Sequence, residues 1–201
     1  MIQELSAACE RNKIPILRVI APELAHCATV LEIGSGTGQH ALYFSAQLRD
    51  VIWQPSDTAE YLETLHERLA HEGGANLRAP LELDVRNHPW PLARADGIFS
   101  ANTLHIMSWA SVQDFFRGVG NVLDTGGVLC IYGPFRYAGC YTSDSNAAFD
   151  EFLRSRDPQS GIRDFEEVDR LAGAQGLRLT ADHAMPANNQ TLIWRRVSGG
   201  P

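Results

Sequence analysis

Residues 30–40 read Val30-Leu-Glu-Ile-Gly-Ser-Gly-Thr-Gly-Gln-His40, and the rest of the chain can be understood from them. A short apolar run leads into a turn with glycine at positions 34, 36 and 38. A helical pattern follows, in which Ala41, Phe44 and Leu48 share one face. Glycine lets a ligand approach the backbone, and a helix start offers free N–H groups and a positive dipole end. This strand–turn–helix unit predicts a site for a nucleoside-bearing ligand.

The glycine spacing discriminates between kinds of nucleotide site. A dinucleotide fingerprint reads G-x-G-x-x-G, and a Walker loop needs Gly-Lys-Ser/Thr. The chain instead has G-x-G-x-G without a lysine, and Glu32 stands two residues before the first glycine. This pattern resembles motif I of class I S-adenosylmethionine (SAM) methyltransferases. The resemblance implies that the turn passes under the methionine and ribose of SAM, and that Glu32 holds the loop or contacts the ligand through water. A purely structural turn is the alternative.

Two further acids follow predicted strands. Val51-Ile-Trp53 reads as a second strand that runs on to Asp57. An acid about twenty residues past the glycines is the expected partner of a ribose hydroxyl pair, although Asp57 also suits a helix N-cap. Residues 81–84 read as a third strand, which ends at Asp84. In the methyltransferase pattern, such an acid accepts from the adenine amino group and the next residue, Val85, packs on the ring; a solvated strand-end acid is the alternative.

A helix is predicted ahead of the first strand, because Pro15 suits a helix start and Ile16 and Ile20 begin an apolar stripe. In class I methyltransferases a helix at this place often covers the SAM pocket. Arg11 and Asn12 would then reach the ligand, and the arginine offers a bidentate donor to a carboxylate. A solvated charge cluster is the alternative.

The catalytic candidates lie near the end of the predicted fourth strand, residues 96–102, where open α/β sheets bind their ligands. An acceptor with an acidic proton needs a base that works near neutral pH, which favours histidine. His105 is the first candidate base and His40 the second, with a structural histidine as the alternative for both. Asn102 and Tyr132 are further catalytic candidates, as polar groups expected at the same edge.

The later part of the chain supplies a predicted cover for this edge. Residues 136–147 are polar and rich in turn-forming residues, so they predict a loop, and residues 136–165 are interpreted as a lid that excludes water. Arg136 and Arg163 within it would suit an anionic acceptor. Residues 177–184 and 191–196 predict a closing pair of strands.

Alternating strands and helices followed by this strand pair predict an α/β fold. The expected architecture is a seven-stranded, mostly parallel, doubly wound sheet with an antiparallel C-terminal strand, as in the Rossmann-like class I methyltransferases. Residues 1–197 are predicted to form a single domain, and residues 198–201 a flexible tail.

Motifs spread along the chain narrow the resemblance. They include Glu10-Arg-Asn-Lys13, Trp53-Gln-Pro-Ser-Asp57, Tyr132-Gly-Pro-Phe135, Gly161-Ile-Arg-Asp164 and Met185-Pro-Ala-Asn-Asn189. With the glycine turn, they resemble the methyltransferase-like 26 family, small SAM-methyltransferase-like proteins of unestablished function. Gly34 departs from that family, in which alanine is common. The resemblance implies the fold and SAM as cofactor, and it names no substrate. The cofactor-binding candidates are Arg11, Asn12, Glu32, Gly34, Ser35, Gly36, Gly38, Gln39, His40, Asp57, Asp84, Val85 and Asn102.

Composition restricts the partners. The net charge is −7 and Arg195-Arg196 is the only basic pair, so the chain lacks the basic stripe of proteins that bind nucleic acids or anionic membranes. The four cysteines have no C-x-x-C spacing, which predicts neither a metal site nor a disulfide framework. With no visible signal peptide or membrane-spanning run, we expect a cytoplasmic protein that acts on a small molecule as a monomer or homodimer.

Three functions remain open from the sequence. The first is a small-molecule SAM methyltransferase. The second is a SAM-binding regulatory or interaction protein without methyl transfer, which would lack a pocket open to the methyl group. The third is a nicotinamide-dependent oxidoreductase, which the G-x-G-x-G spacing disfavours.

Overall fold

The structure, a computed structural model, describes residues 6–197. Helices and strands alternate along most of this part of the chain. The helices are α1 (Ala7–Leu24), α2 (Gln39–Gln47), α3 (Ala59–Glu72), α4 (Trp109–Val122), α5 (Asp144–Arg156) and α6 (Phe165–Ala174). The strands are β1 (Thr29–Ile33), β2 (Ile52–Asp57), β3 (Leu81–Glu82), β4 (Ala95–Ala101), β5 (Leu123–Gly133), β6 (Phe135–Tyr137), β7 (Cys140–Tyr141), β8 (Arg163–Asp164), β9 (Leu177–Met185) and β10 (Asn189–Arg196).

Seven strands form one sheet in the order β3-β2-β1-β4-β5-β10-β9. Strand β10 runs antiparallel to both of its neighbours, and the other pairings are parallel. This confirms the predicted fold class. The strand order reverses at β1, which pairs with β2 on one side and with β4 on the other; Ile33 lies opposite both Ser56 and Ser100. The ends of these three strands therefore lie together, at the crevice where open α/β sheets bind ligands.

Each face of the sheet is covered by its own core, because side chains alternate along each strand. On one face an aromatic cluster of Phe44, Trp53 and Phe99 lies with the apolar side of α1. On the other face Phe115 and Trp194 belong to a second cluster, to which α4 and α6 contribute. Burying a large apolar side chain stabilises a fold by about 1.5–3 kcal/mol, so both layers hold the sheet. The arrangement is the predicted doubly wound one.

Two local predictions differ from the structure, and one lies outside the residues that it describes. The predicted loop at 136–147 contains strands β6 and β7 and the start of α5, and β6 also pairs with β8 to form a small three-stranded sheet. Strand β3 ends at Glu82, so Asp84 lies in the loop beyond it. The predicted tail, residues 198–201, lies outside the described residues. Over residues 6–197, no helix is long and apolar enough to cross a membrane.

Candidate active site

A cavity of about 930 Å³ opens at the carboxyl ends of β1, β2 and β4. Its volume lies near the upper end of the roughly 300–1,000 Å³ that is typical of small-molecule sites. Ten of the residues predicted from the sequence line it: Arg11, Gly34, Ser35, Gly36, His40, Asp57, Asp84, Val85, Asn102 and His105. Five predicted residues are not part of its lining within the described chain: Asn12, Glu32, Gly38, Gln39 and Tyr132.

The glycine turn forms one wall of the cavity. The backbone φ values of Gly34, Gly36 and Gly38 are 75°, 53° and 75°, which residues with a Cβ adopt only with strain. A Cβ on Gly36 would point into open space, whereas a Cβ on Gly34 would come within 2.4 Å of Cγ2 of Thr103. The turn is thus open above Gly36 and closely packed against the end of β4 at Gly34. In this chain the packing explains why glycine, rather than alanine, suits position 34.

Asp57 connects the end of β2 to the glycine turn. Its Oδ2 accepts a hydrogen bond from the Gly36 N–H at 2.6 Å, and its Oδ1 accepts one from the Thr58 N–H at 2.8 Å. The side chain is 8% exposed, and burial raises the pKa of its carboxyl group. The N-cap of α3 is Thr58, so Asp57 lies just outside the helix. Its carboxylate is held at the cavity wall, next to the open space above Gly36.

Asp84 also lines the cavity, in the loop after β3. It pairs with Arg86, whose Nη2 lies 2.5 Å from Oδ2, and hydrogen bonds from Arg86 lower the pKa of its carboxyl group. Val85 follows it and is buried. Arg86 and Tyr61 also line the cavity, and nothing in the sequence pattern distinguished them from ordinary surface residues.

Glu32 lies beneath the glycine turn and not in the cavity. It is 1% exposed, its Oε2 accepts a hydrogen bond from the Trp53 indole N–H at 2.7 Å, and Ser35 also bonds to it. Burial raises the pKa of its carboxyl group to about 7. Of the two predicted roles, the position fits the support of the loop and not a contact with the ligand through water.

Replacing Glu32 by glutamine is expected to stabilise the protein more at pH 8 than at pH 5.5. The folded state keeps a proton on Glu32 that the unfolded chain releases between its ordinary pKa, near 4.5, and about 7. The contribution of Glu32 to stability therefore falls as the pH rises through this window. Glutamine is neutral throughout and still accepts from Trp53, so its stability advantage should grow by about 2 kcal/mol between the two pH values.

Urea unfolding of both proteins at pH 5.5 and pH 8 measures this difference. Glu67→Gln, at an exposed position on α3, is the matched control and should show the same stability change at both pH values. If Glu32→Gln gained the same stability at both pH values, the buried carboxyl group of Glu32 would not hold a proton in this pH range.

Gln39 and Gly38 are structural neighbours of the turn. The Oε1 of Gln39 accepts hydrogen bonds from the Ser6 N–H at 2.7 Å and from the Thr37 hydroxyl at 2.8 Å, and its Nε2 donates to Glu10. Gln39 therefore ties the start of α1 to the glycine turn. A Cβ on Gly38 would come within 2.9 Å of leucine side chains of α3, so this glycine allows close helix packing.

Asn12, His40 and Tyr132 form a buried polar cluster between α1, α2 and β5. The His40 Nε2 lies 2.8 Å from the Asn12 Oδ1, and burial lowers the pKa of His40 to about 4. Burial raises the pKa of the Tyr132 hydroxyl, which Asn12 also contacts. Tyr132 points into the core layer beneath α1, so its position does not support direct contact with an acceptor. His40 reaches the cavity wall.

The loop after β4 brings Asn102 and His105 to the cavity. Asn102 has a φ of 59°, an uncommon conformation for a residue other than glycine, and its N–H donates to the Tyr132 carbonyl at 2.8 Å. His105 is 5% exposed and meets the Phe149 ring edge-on at 5.4 Å. Burial, with a smaller effect of Arg163, lowers the pKa of His105 to about 4. Its ring has no hydrogen-bond partner among residues 6–197 and is neutral at physiological pH.

Arg136 and Arg163 do not line the cavity, although the sequence predicted that they would suit an anionic acceptor there. Arg163 donates to the carbonyl groups of Leu104, Met107 and Gln159, and so fixes the loop that carries His105. Arg136 forms an ion pair with Asp164 at 2.6 Å. Both guanidinium groups serve the structure, so neither is available to an anionic acceptor.

Residues 3–196 match the sequence model of a family described as protein of unknown function (DUF938). The chain belongs to this family. Solved structures that resemble this DUF938 chain include methyltransferases. An O-methyltransferase family protein from Burkholderia thailandensis has a TM-score of 0.77 at 16% identity, over 96% of this chain and 60% of its own. Human N-acetylserotonin methyltransferase, in complex with SAM, has a TM-score of 0.80 at 15% identity, over 95% and 53%. The mitomycin 7-O-methyltransferase MmcR has a TM-score of 0.80 at 17% identity, over 95% and 56%.

The DUF938 chain thus has the class I methyltransferase fold. It spans 53–60% of the length of these three structures, and identities this low establish the fold alone. The cavity of the DUF938 chain lies at the switch point where the general rule for open α/β sheets places ligands.

Proposed function

We propose that the protein is a SAM-dependent methyltransferase that acts on a small-molecule acceptor. The observation that carries this proposal is the single cavity that joins the glycine turn, Asp57 and Asp84 to the neutral His105. The likeness of the fold to methyltransferases supports it. The further resemblance to the methyltransferase-like 26 family is part of the proposal, as are a cytoplasmic location and a monomer or homodimer.

The residues present fit SAM in three respects. Gly36 has no side chain to fill the open space above it, so the backbone there is accessible to a ligand. Asp57 and Asp84 place carboxylates at two points of the cavity, where they suit a ribose hydroxyl pair and an amino group. Val85 and Leu83 supply apolar surface beside Asp84. This combination of hydrogen-bond acceptors and apolar surface matches an adenosine group.

Each residue has a definite task in this assignment. Asp57 would accept from the ribose hydroxyls, Asp84 would accept from the adenine amino group, and Arg11, on the α1 side of the cavity, would pair with the methionine carboxylate. When bound, SAM supplies a methyl group that its sulfonium makes electrophilic. The protein's part is to orient an acceptor and exclude water.

His105 receives the proton that the acceptor loses. The ring is neutral because its pKa is lowered to about 4, so a ring nitrogen has a lone pair available at physiological pH. Proton transfer to a positioned base contributes typically 10²–10⁴-fold to a rate. Asn102 lies three residues earlier at the same cavity wall and orients the acceptor.

Isothermal titration with SAM, S-adenosylhomocysteine and NAD tests the cofactor. We expect micromolar binding of the two sulfur ligands and none of NAD. Heat with NAD alone would overturn the proposal in favour of an oxidoreductase.

Incubation with methyl-labelled SAM and a metabolite extract tests the acceptor. Label in the small-molecule fraction is the expected result. Label only in the protein fraction would contradict a small-molecule acceptor. Binding of SAM without any transfer would favour a SAM-binding regulatory or interaction protein.

A further inference from the structure

The part of the cavity lining that the second half of the chain supplies carries no charge. We call the lining residues from 102 onward the acceptor wall: Asn102, Thr103, His105, Ile106, Met107, Ser111, Pro134, Ser145, Asn146, Phe149, Ala187 and Asn189. Both carboxylates of the cavity, Asp57 and Asp84, lie outside this wall. A charged acceptor would lose its hydration here without gaining an ion partner, so the wall favours an uncharged molecule.

Phe149 gives the acceptor wall an apolar surface. Its ring is half-buried and packs edge-on against His105, with ring centroids 5.4 Å apart. Ile106 is 59% exposed, and Met107 and Pro134 add apolar surface. Flat apolar molecules pack well against such aromatic and aliphatic surfaces.

Asn146 presents a hydrogen-bond acceptor beside this surface, three residues before Phe149 on α5. The amide is 5% exposed, and its Nδ2 donates to the Asn188 carbonyl and to the Thr142 hydroxyl, each at 2.9 Å. A carbonyl can only accept, so the bond to Asn188 fixes which end of the amide is nitrogen. Both amide hydrogens are therefore used, and Oδ1 has no partner in the part of the chain that the structure describes.

We propose that Asn146 is a specificity-determining residue: its Oδ1 accepts a hydrogen bond from a second donor on an uncharged, ring-shaped acceptor whose first donor points to His105. This inference rests on the proposed function. A ligand that covered Asn146 without a donor would leave a buried amide oxygen unpaired, and one lost neutral hydrogen bond lowers affinity by about tenfold.

Binding of small phenols to the protein saturated with S-adenosylhomocysteine tests the proposal. The probes are the three isomers of dihydroxybenzene, with phenol as the one-donor control and benzoate as the charged control. We expect at least one isomer to bind about tenfold more tightly than phenol, and benzoate to bind most weakly. Asn146→Ala should remove the advantage of that isomer and leave the affinity for phenol within about twofold.

Thr142→Val is the matched variant, because it removes one partner of the Asn146 Nδ2 and leaves Oδ1 in place. It should keep the preference for the dihydroxybenzene. The inference would be overturned if the preference for the dihydroxybenzene survived in Asn146→Ala, or if Thr142→Val lost that preference to the same extent as Asn146→Ala. Tight binding of benzoate, or the absence of any isomer that binds better than phenol, would also overturn it. Failure of S-adenosylhomocysteine to bind would count against the proposed function instead, and the phenols would then be measured on the protein alone.

Discussion

Replacing Asp57 by alanine is expected to lower the affinity for S-adenosylhomocysteine by about 100-fold, since hydrogen bonds to a charged group contribute about 1.5–3 kcal/mol each. The carboxylate is buried at the cavity wall, where its existing donors are the N–H groups of Gly36 and Thr58. Each carboxylate oxygen has a second lone pair, so both can accept from a ribose hydroxyl without losing these bonds. Isothermal titration of both proteins measures the loss.

A second comparison separates lost ligand contact from a disturbed loop, because Asp57→Ala also leaves the Gly36 N–H without its acceptor. The affinities for adenosine and 2′-deoxyadenosine are measured on wild type and variant. Wild type should prefer adenosine about tenfold, and the variant should bind both alike. A variant that keeps the preference for adenosine would show that Asp57 acts through the loop and does not bind the ribose.

The parts of the site that could be predicted are those fixed by the parallel sheet. The apolar runs locate β1, β2 and β4, and parallel strands in register bring their carboxyl ends together. Gly34 and Asn102 follow β1 and β4 directly, Asp57 is the last residue of β2, and all three line one cavity. These residues lie at strand ends, and the alternation of strands and helices in the sequence is enough to locate those ends.

Side-chain direction within a strand was harder to predict. Tyr132 lies near the end of β5, but alternation directs it into the core layer beneath α1, where Val128 and Cys130 also lie. Glu32 belongs to β1, and it is paired with an indole N–H that is 21 residues away in the sequence. A one-residue difference in register decides whether such a side chain faces a cavity or a core, and the sequence pattern leaves that uncertain.

Partners distant in the sequence determine the remaining differences. Arg163 is held by carbonyl groups more than 50 residues away, and Gln39 by a residue 33 positions away, so their structural roles have no local signal. The same holds for Asn146, whose amide is oriented by Asn188. The small sheet of β6, β7 and β8 likewise joins segments that are separated by α5.

Replacing His105 by glutamine is expected to lower the rate of methyl transfer to the labelled small-molecule fraction by 10²–10⁴-fold, the usual contribution of a positioned base. Glutamine is similar in size and forms hydrogen bonds, but it cannot take up a proton at neutral pH. The affinity for S-adenosylhomocysteine should stay within about twofold, because His105 lies on the acceptor wall. His183→Gln, at an exposed position on β9, is the control and should keep the wild-type rate.

The pH dependence of the rate distinguishes a base from a residue that only shapes the wall. In wild type the pKa of His105 is lowered to about 4 by burial and by Arg163, so the ring remains neutral between pH 6 and pH 8. As the acceptor atom becomes methylated, the hydrogen that it carries becomes strongly acidic, so even this weak base can receive it. The wild-type rate should therefore change little over this range.

In His105→Gln the acceptor must lose its proton to water before it reacts. The rate of this variant should then rise by up to tenfold per pH unit below the pKa of the acceptor, because only the ionised fraction is reactive. A variant whose rate falls but whose pH profile stays flat would identify His105 as part of the packing against Phe149, at 5.4 Å, and not as the base. A rate within twofold of wild type would remove His105 from the mechanism altogether.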